Sequence, residues 1–241
     1  MKAIILAAGK GTRLNGAAMA PKCLIQVGGT SLVKRQVASL RQEGIPDIVI
    51  VVGFGAAEIQ KECTEGIFFV ENNRYDETSS MYSLWLARDQ LLDGFVVLNS
   101  DVLFHPKMLR LLLTSPHPDG LLLDYREGIR NLMGEEEMKV RVNGGLVVDI
   151  SKQMNPQEAD GENVGIVKFS QEGARKLISC MDKLIEEGRV QEWAPRAFLE
   201  FSRRRPLHAI STGGYPWIEI DFPEDYQKAV TEIYPRIKSL S

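Results

Sequence analysis

Residues 3–7, Ala3-Ile4-Ile5-Leu6-Ala7, form a short apolar run that breaks into Ala8-Gly9-Lys10-Gly11-Thr12-Arg13-Leu14, with Pro21-Lys22 a few residues further on. The run has the length and Ile/Leu content of a central parallel strand buried on both faces. Gly9 and Gly11 remove Cβ from the turn, so backbone N–H groups can close around an anion, while Lys10 and Arg13 add positive charge. This pattern predicts a phosphate-binding turn. The dinucleotide fingerprint does not fit it, because Leu14 stands where a third small residue is needed. The Walker loop does not fit either, since Gly-Lys-Ser/Thr is replaced by Gly9-Lys10-Gly11-Thr12.

The following pattern alternates. Leu32, Val33, Val37 and Leu40 mark a helix capped by Thr30 or Ser31 and ending near Gly44. Ile48–Val52 reads as a second buried strand, residues 56–63 as a short helix, and residues 67–70 as a third strand. Such β-α-β alternation implies a parallel sheet with helices on both faces and right-handed crossovers. A helix over Met81–Leu91, capped by Ser79 or Ser80, leads to the strand Phe95–Asp101, which delivers a carboxylate where open α/β sheets bind ligands. Pro106 opens a further helix, and residues 116–123 return to the sheet, ending at Asp124.

Beyond Asp124 hairpins replace the alternation. Residues 138–142 and 146–150 flank Asn143-Gly144, read as a type I′ turn. A strand over 163–169 and a Ser170-capped helix to Gly188 follow. Pro216–Asp221 is a last strand with a carboxylate at its end, ahead of a helix opened by Pro223. The expected fold is therefore α/β: a Rossmann-like, doubly wound, mixed and mostly parallel sheet with a small β-hairpin region. It is expected as one domain, with 1–124 mainly nucleotide-binding and 125–241 mainly acceptor-binding.

At 241 residues and 44% hydrophobic, the chain can fill one such core. A net charge of −3 offers no polybasic surface for nucleic acid or an anionic membrane. Cys23, Cys63 and Cys180 lack metal or disulfide spacing and read as packing residues. The N-terminal apolar run is too short for a signal peptide and no segment has membrane-spanning length, so a cytoplasmic location is expected.

The ordered match Leu6-Ala7-Ala8-Gly9-Lys10-Gly11-Thr12-Arg13-Leu14 with Pro21-Lys22 resembles the signature of the sugar-phosphate type of nucleotidyltransferases, which make activated sugars and alcohols. The resemblance implies the nucleotide-diphospho-sugar transferase fold. It also implies a loop wrapping an NTP triphosphate, with Arg13 and Lys22 on the phosphates as catalytic cations. Asn72-x-x-Tyr75-x-x-Thr78 followed by Ser83 is similar to the base-side segment of cytidylyltransferases acting on phosphocholine, 2-aminoethylphosphonate or inositol phosphate. Those relatives usually carry asparagines where this chain has Ser79-Ser80. Nucleotide contacts are thus expected from residues 6–13, Lys22, Asn72, Thr78, Ser80 and Ser83. Asn99-Ser100-Asp101 and Trp217-Ile218-Glu219-Ile220-Asp221 resemble the family's two metal-binding segments, which implies Mg²⁺ on Asp101 and Asp221.

In such a reaction an acceptor phosphate attacks the α-phosphorus and expels pyrophosphate. The acceptor is already anionic, a phosphate second pKa lying at about 6, so no general base is required and the three histidines have no role. An amine-bearing acceptor would meet aromatic faces and acids, for which Tyr82, Tyr125, Trp193, Tyr215 and Trp217, with Asp124, Glu162 and Glu192, are the candidates. CTP and a small phosphate or phosphonate are the expected partners, and a homodimer is left open. The alternatives are a sugar-1-phosphate nucleotidyltransferase using UTP, TTP or GTP, and a nucleotide-binding regulatory module without turnover. A nicotinamide-dependent oxidoreductase lacks the third glycine and an acid after Val52.

Overall fold

The computed structural model describes residues 1–11, 20–125, 128 and 133–240. Thr12, Arg13 and Leu14 of the glycine-rich turn therefore lie outside the described residues. β1 (Lys2–Ala7) is followed by a 3₁₀ turn at Lys22–Leu24 and a tight hairpin, β2 (Gln26–Val27) and β3 (Thr30–Ser31). Ser31 Oγ then accepts the Lys34 N–H and starts α1 (Leu32–Gln42), satisfying one of the donors a helix N-terminus leaves free. β4 (Ile48–Val52), α2 (Ala56–Glu62) and β5 (Ile67–Glu71) complete the alternating part.

α3 (Ser80–Leu86) is shorter than the expected 81–91 helix, and Ser79 starts it without a side-chain cap. The chain tightens instead into a 3₁₀ turn at Arg88–Gln90, which brings fully buried Leu91 under the sheet ahead of β6 (Phe95–Asn99). β7 (Val102–Phe104), α4 (Pro106–Thr114), β8 (Gly120–Asp124), β9 (Lys139–Asn143) and β10 (Leu146–Ser151) come next. The β9–β10 turn is one residue later than expected. Asn143 pairs with Leu146, and the two corner residues are Gly144 and Gly145, at φ 57° and 79°, the positive values that both corners of a type I′ turn need. β11 (Gly161–Phe169), α5 (Gln171–Glu186), α6 (Ala194–Ser202), β12 (His208–Ser211), β13 (Trp217–Glu219) and α7 (Pro223–Lys228) follow, then a π-turn and α8 (Tyr234–Ser239).

Nine strands form one sheet in the order β5-β4-β1-β6-β11-β8-β12-β10-β9. The pairs from β5 to β6 are parallel, β11 turns antiparallel between β6 and β8, and the later hairpin continues the same sheet rather than standing apart. One face buries α3, α5 and α6 over Phe95, Val97 and Phe169, and the other buries α1, α2 and α4 over Ile5, Ile50 and Leu98. The C-terminal segment closes over the β2–β3 hairpin through Ile220, Ile233 and Ile237. Cys23, Cys63 and Cys180 are buried free thiols. Among the described residues no helix is long and apolar enough to cross a membrane.

Candidate active site

The C-terminal ends of β1 and β6 open onto a cleft of about 430 Å³ whose lining runs from Leu6, Ala8, Gly9, Lys10 and Gly11 to Lys22, Asp101, Glu219 and Asp221. Gly11 sits at φ 60°, and a Cβ there would collide with the Lys22 side chain. The absent side chain thus leaves the Lys22 stem room to cross the turn. Ala7, one residue out of step with Leu6 and Ala8, is not part of the lining and packs into the opposite core, as strand alternation demands.

Two carboxylates meet the end of that stem because a small antiparallel ladder puts them side by side. β7 pairs with β13, Val102 opposite Glu219, and the Ile220 N–H donates to the Asp101 carbonyl at 3.0 Å. Asp101 just before β7 and Asp221 just after β13 thereby become neighbours across the pair. The Lys22 ammonium bridges them, 3.3 Å from Asp101 Oδ2 and in direct contact with Asp221 Oδ1. The Asp225 carboxylate accepts the backbone N–H groups of Asp221 and Phe222 at 3.0 and 2.8 Å, which fixes the approach of the C-terminal segment.

Burial alone would lower the Lys22 pKa, but the charges of Asp101 and Asp221 outweigh it and hold the ammonium above its ordinary value. Burial, with Asp221 adding to it, pushes the Asp101 carboxyl up against the opposing pull of Lys22. Glu219 lines the same floor and is pushed well above the carboxylate range by burial and then by Asp101 and Asp221. Cys23, next to Lys22, is pushed up to about 12, chiefly by burial, so its thiol is no nucleophile. None of the histidines lines the cleft. His105 caps α4, and His117 stacks on His208 at 3.8 Å between ring centres.

A second actor behind this floor is Gln36, a polar residue within the apolar stripe of α1. It is 1% exposed, and its Nε2 donates to the carbonyls of Asn99 at 2.9 Å and Val102 at 3.0 Å. Those carbonyls bracket Asp101. The break in the i, i+3, i+4 apolar pattern of Val33, Val37 and Leu40 was the sequence signal for it.

On the other wall, Asn72, Thr78, Ser79, Ser80 and Ser83 all line the cleft, but three of them are bonded to one another. Asn72 Nδ2 donates to Thr78 Oγ1 at 3.0 Å and Ser83 Oγ at 3.1 Å, and its Oδ1 accepts the Arg74 N–H. Both donors of the amide are engaged in bracing the loop, while Asn72 and Ser83 line the cleft as the sequence reading expects. Tyr75 and Asn99, which lie within the two resembling segments, line the cleft, and so do Asp76, Asn163, Met138, Lys152 and Glu136, which the sequence reading did not single out. Lys152 pairs with Glu136 at 3.0 Å and lies 4.7 Å from the Trp193 ring centre.

The expected acceptor residues divide. Trp193 lines the cleft and is 49% exposed. Glu162 and Trp217 line an adjoining cavity of about 380 Å³ that shares Glu136, Glu219 and Asp221 with the cleft. The remaining candidates are engaged elsewhere. Asp124 is fully buried and accepts the Trp217 indole N–H at 2.7 Å, tying β8 to β13. Tyr215 stacks on His105, Tyr82 packs at a tilt against Trp85, and Glu192 pairs with Arg189. Tyr125 lines neither cavity.

Among the described residues no group of three or more His, Cys, Asp or Glu converges on a metal position. The pair Asp101 and Asp221 is nevertheless the donor set that Mg²⁺ takes when substrate oxygens and water supply the rest. Asp101 Oδ1 is buried and has no hydrogen-bond partner among the described residues.

The family model of the MobA-like NTP transferase domain matches residues 3–138. The choline-phosphate cytidylyltransferase of Streptococcus pneumoniae is 30% identical over 235 residues, covering 95% of this chain and 96% of its own. The CTP:phosphoglutamine cytidylyltransferase of Campylobacter jejuni is 22% identical over 94% of this chain and 98% of its own. The inositol-1-phosphate CTP transferase from T. maritima superposes with a TM-score of 0.80 over 98% of this chain and 96% of its own at 24% identity, a likeness of fold. A match across more than half of the sequence, carrying the glycine-rich turn, Lys22 and Asp101 with it, makes this chain a member of the MobA-like NTP transferase domain family.

Proposed function

We propose that this chain transfers a cytidylyl group from CTP to a small phosphorylated or phosphonate alcohol or amine, releasing pyrophosphate. The observation that carries the reading is the Lys22 ammonium held between Asp101 and Asp221 beside the glycine-rich turn. The triphosphate would lie along Gly9, Lys10 and Gly11, with Arg13 on the phosphates. An acceptor oxygen would form a bond to the α-phosphorus while the bond to the β-phosphate oxygen breaks, the electron pair leaving with pyrophosphate. Lys22 would offset charge building on the α-phosphoryl oxygens, which lowers the barrier because that charge is greatest in the transition state.

Asp101 and Asp221 would hold Mg²⁺, which when bound neutralises the triphosphate oxygens. Ser79, with backbone groups near Ala8, would face the base, since Asn72 is engaged in its own loop. An amine-bearing acceptor is favoured by the adjoining cavity, where Glu136, Glu137, Glu162, Asp221, Asp225 and Glu232 outweigh Lys228 and Arg236, and by the half-exposed Trp193. Lys152 would meet the acceptor phosphate. The relatives that act on choline phosphate and phosphoglutamine support the same direction.

The test is a matrix of four NTPs against choline phosphate, 2-aminoethylphosphonate, inositol phosphate and glucose-1-phosphate, read by pyrophosphate release. The reading expects CTP with an amine-bearing acceptor. Preference for a purine triphosphate, or for glucose-1-phosphate, contradicts it.

A further inference from the structure

The N-terminus of α6 is capped from outside its own segment. Trp193 occupies the cap position and has no side-chain hydrogen bond to offer, and Pro195 has no N–H. That leaves the Ala194 N–H as a donor needing a partner, and it finds one across the fold: Ser80 Oγ accepts it at 2.9 Å. Two more hydrogen bonds run alongside, from Ser79 N–H to the Val190 carbonyl at 3.0 Å and from Met81 N–H to the Glu192 carbonyl at 3.2 Å. The Arg189–Glu192 ion pair staples the loop internally. Residues 190–194 are therefore laid along the start of α3, and Trp193 stands at their tip with its indole 49% exposed in the cleft. The Lys152 ammonium covers that indole and pairs with Glu136, which lines both cavities.

We propose that Ser80 is a positioning residue: its hydroxyl caps α6 across the cleft and so holds Trp193 over the acceptor end of the site. Ser80 lines the cleft on the expected base side, and the hydrogen bond its hydroxyl accepts from the Ala194 N–H joins that wall to the acceptor wall. Its contribution to specificity then acts through Trp193 on the acceptor, not by contact with the base. The acceptor half of this inference rests on the cytidylyl-transfer reading above; the strut itself does not.

The experiment compares Ser80→Ala, Ser80→Thr, Trp193→Ala and the double variant in steady-state kinetics with CTP and choline phosphate. Iodide quenching of tryptophan emission runs in parallel, Trp193→Phe giving the contribution of Trp193. Ser80→Ala is expected to raise the acceptor KM by about five- to tenfold, the size of one lost cap hydrogen bond. The CTP KM stays within about twofold, and the Ser80→Thr hydroxyl restores the acceptor KM. In the Trp193→Ala background Ser80→Ala adds nothing, because residues acting as one unit are not additive. Iodide reaches Trp193 more readily in Ser80→Ala.

A raised CTP KM with an unchanged acceptor KM would overturn the proposal in favour of direct base reading. Additive losses in the double variant would show that Ser80 does not act through Trp193. If no phosphorylated amine is a substrate, quenching still decides the strut: increased exposure of Trp193 in Ser80→Ala upholds it and unchanged exposure refutes it. Should Ser80→Ala fail to fold, Ser80→Cys, with its weak acceptor, carries the same expectations.

Discussion

Gln36→Leu is the substitution that tests most sharply how the site is held. It keeps the approximate volume and the helix propensity of α1 but removes the Nε2 donor that serves both the Asn99 and Val102 carbonyls. Each buried carbonyl left without its partner costs about 1–3 kcal/mol, so the pair sums to roughly 2–6 kcal/mol. One compensation applies. Gln36 Oε1 is itself buried without a partner among the described residues, and leucine removes that unmet acceptor, returning about 1–2 kcal/mol. The expected net loss is about 0–5 kcal/mol, read as a lower urea midpoint at unchanged m-value. Because the two carbonyls bracket Asp101, turnover should fall further than the fraction of folded protein does. A urea midpoint within about 0.5 kcal/mol of wild type together with full turnover would refute the argument that Gln36 holds the Asp101 turn.

Asp101→Asn and Asp221→Asn should each remove most turnover while circular dichroism stays unchanged, since each deletes a charge at a partly exposed sheet end; wild-type activity at ordinary Mg²⁺ would contradict the metal assignment. Lys22→Ala should lower kcat more than it raises the CTP KM, because the ammonium faces charge that grows in the transition state; a change confined to KM would assign Lys22 to ground-state binding. Gly11→Ala places a methyl group against the Lys22 stem in a left-handed backbone conformation, and should cost turnover as well as about 1 kcal/mol of stability, measured by paired kinetics and thermal melts; full activity would show that Lys22 reaches the carboxylates without that gap.

What the sequence reveals and what it hides follow from the range of the interactions. The β1 strand and the α1 cap are local patterns, and each lies where residue periodicity and capping chemistry put it. Asp101 and Asp221 were legible as strand-end carboxylates, but the three-residue ladder that joins them links β7 to a strand more than a hundred residues later, beyond any local signal. Lys152 reached the cleft in the same non-local way, at the far end of a hairpin whose turn moved by one residue because Gly144 and Gly145 can both take positive φ. At Asn72 the sequence hides the partners instead. A short polar side chain beside a binding cleft reads as a ligand contact, yet its amide closes onto Thr78 and Ser83, since a buried loop must first satisfy its own polar groups. Asp124 and Trp217, expected separately on the acceptor, satisfy one another.

In the proposed reaction the cytidylyl group, with its α-phosphorus, passes from CTP to a phosphorylated acceptor in the Lys22–Asp101–Asp221 cleft and the β- and γ-phosphates leave as pyrophosphate. Incubation of the protein with choline phosphate and CTP radiolabelled either at the α- or at the γ-phosphorus tests it most directly. Label from the α-position should appear in a product containing choline, and label from the γ-position in pyrophosphate, with both signals lost in Lys22→Ala. Transfer of γ-label to the acceptor, release of γ-label as inorganic phosphate, or full α-transfer by Lys22→Ala would contradict the account.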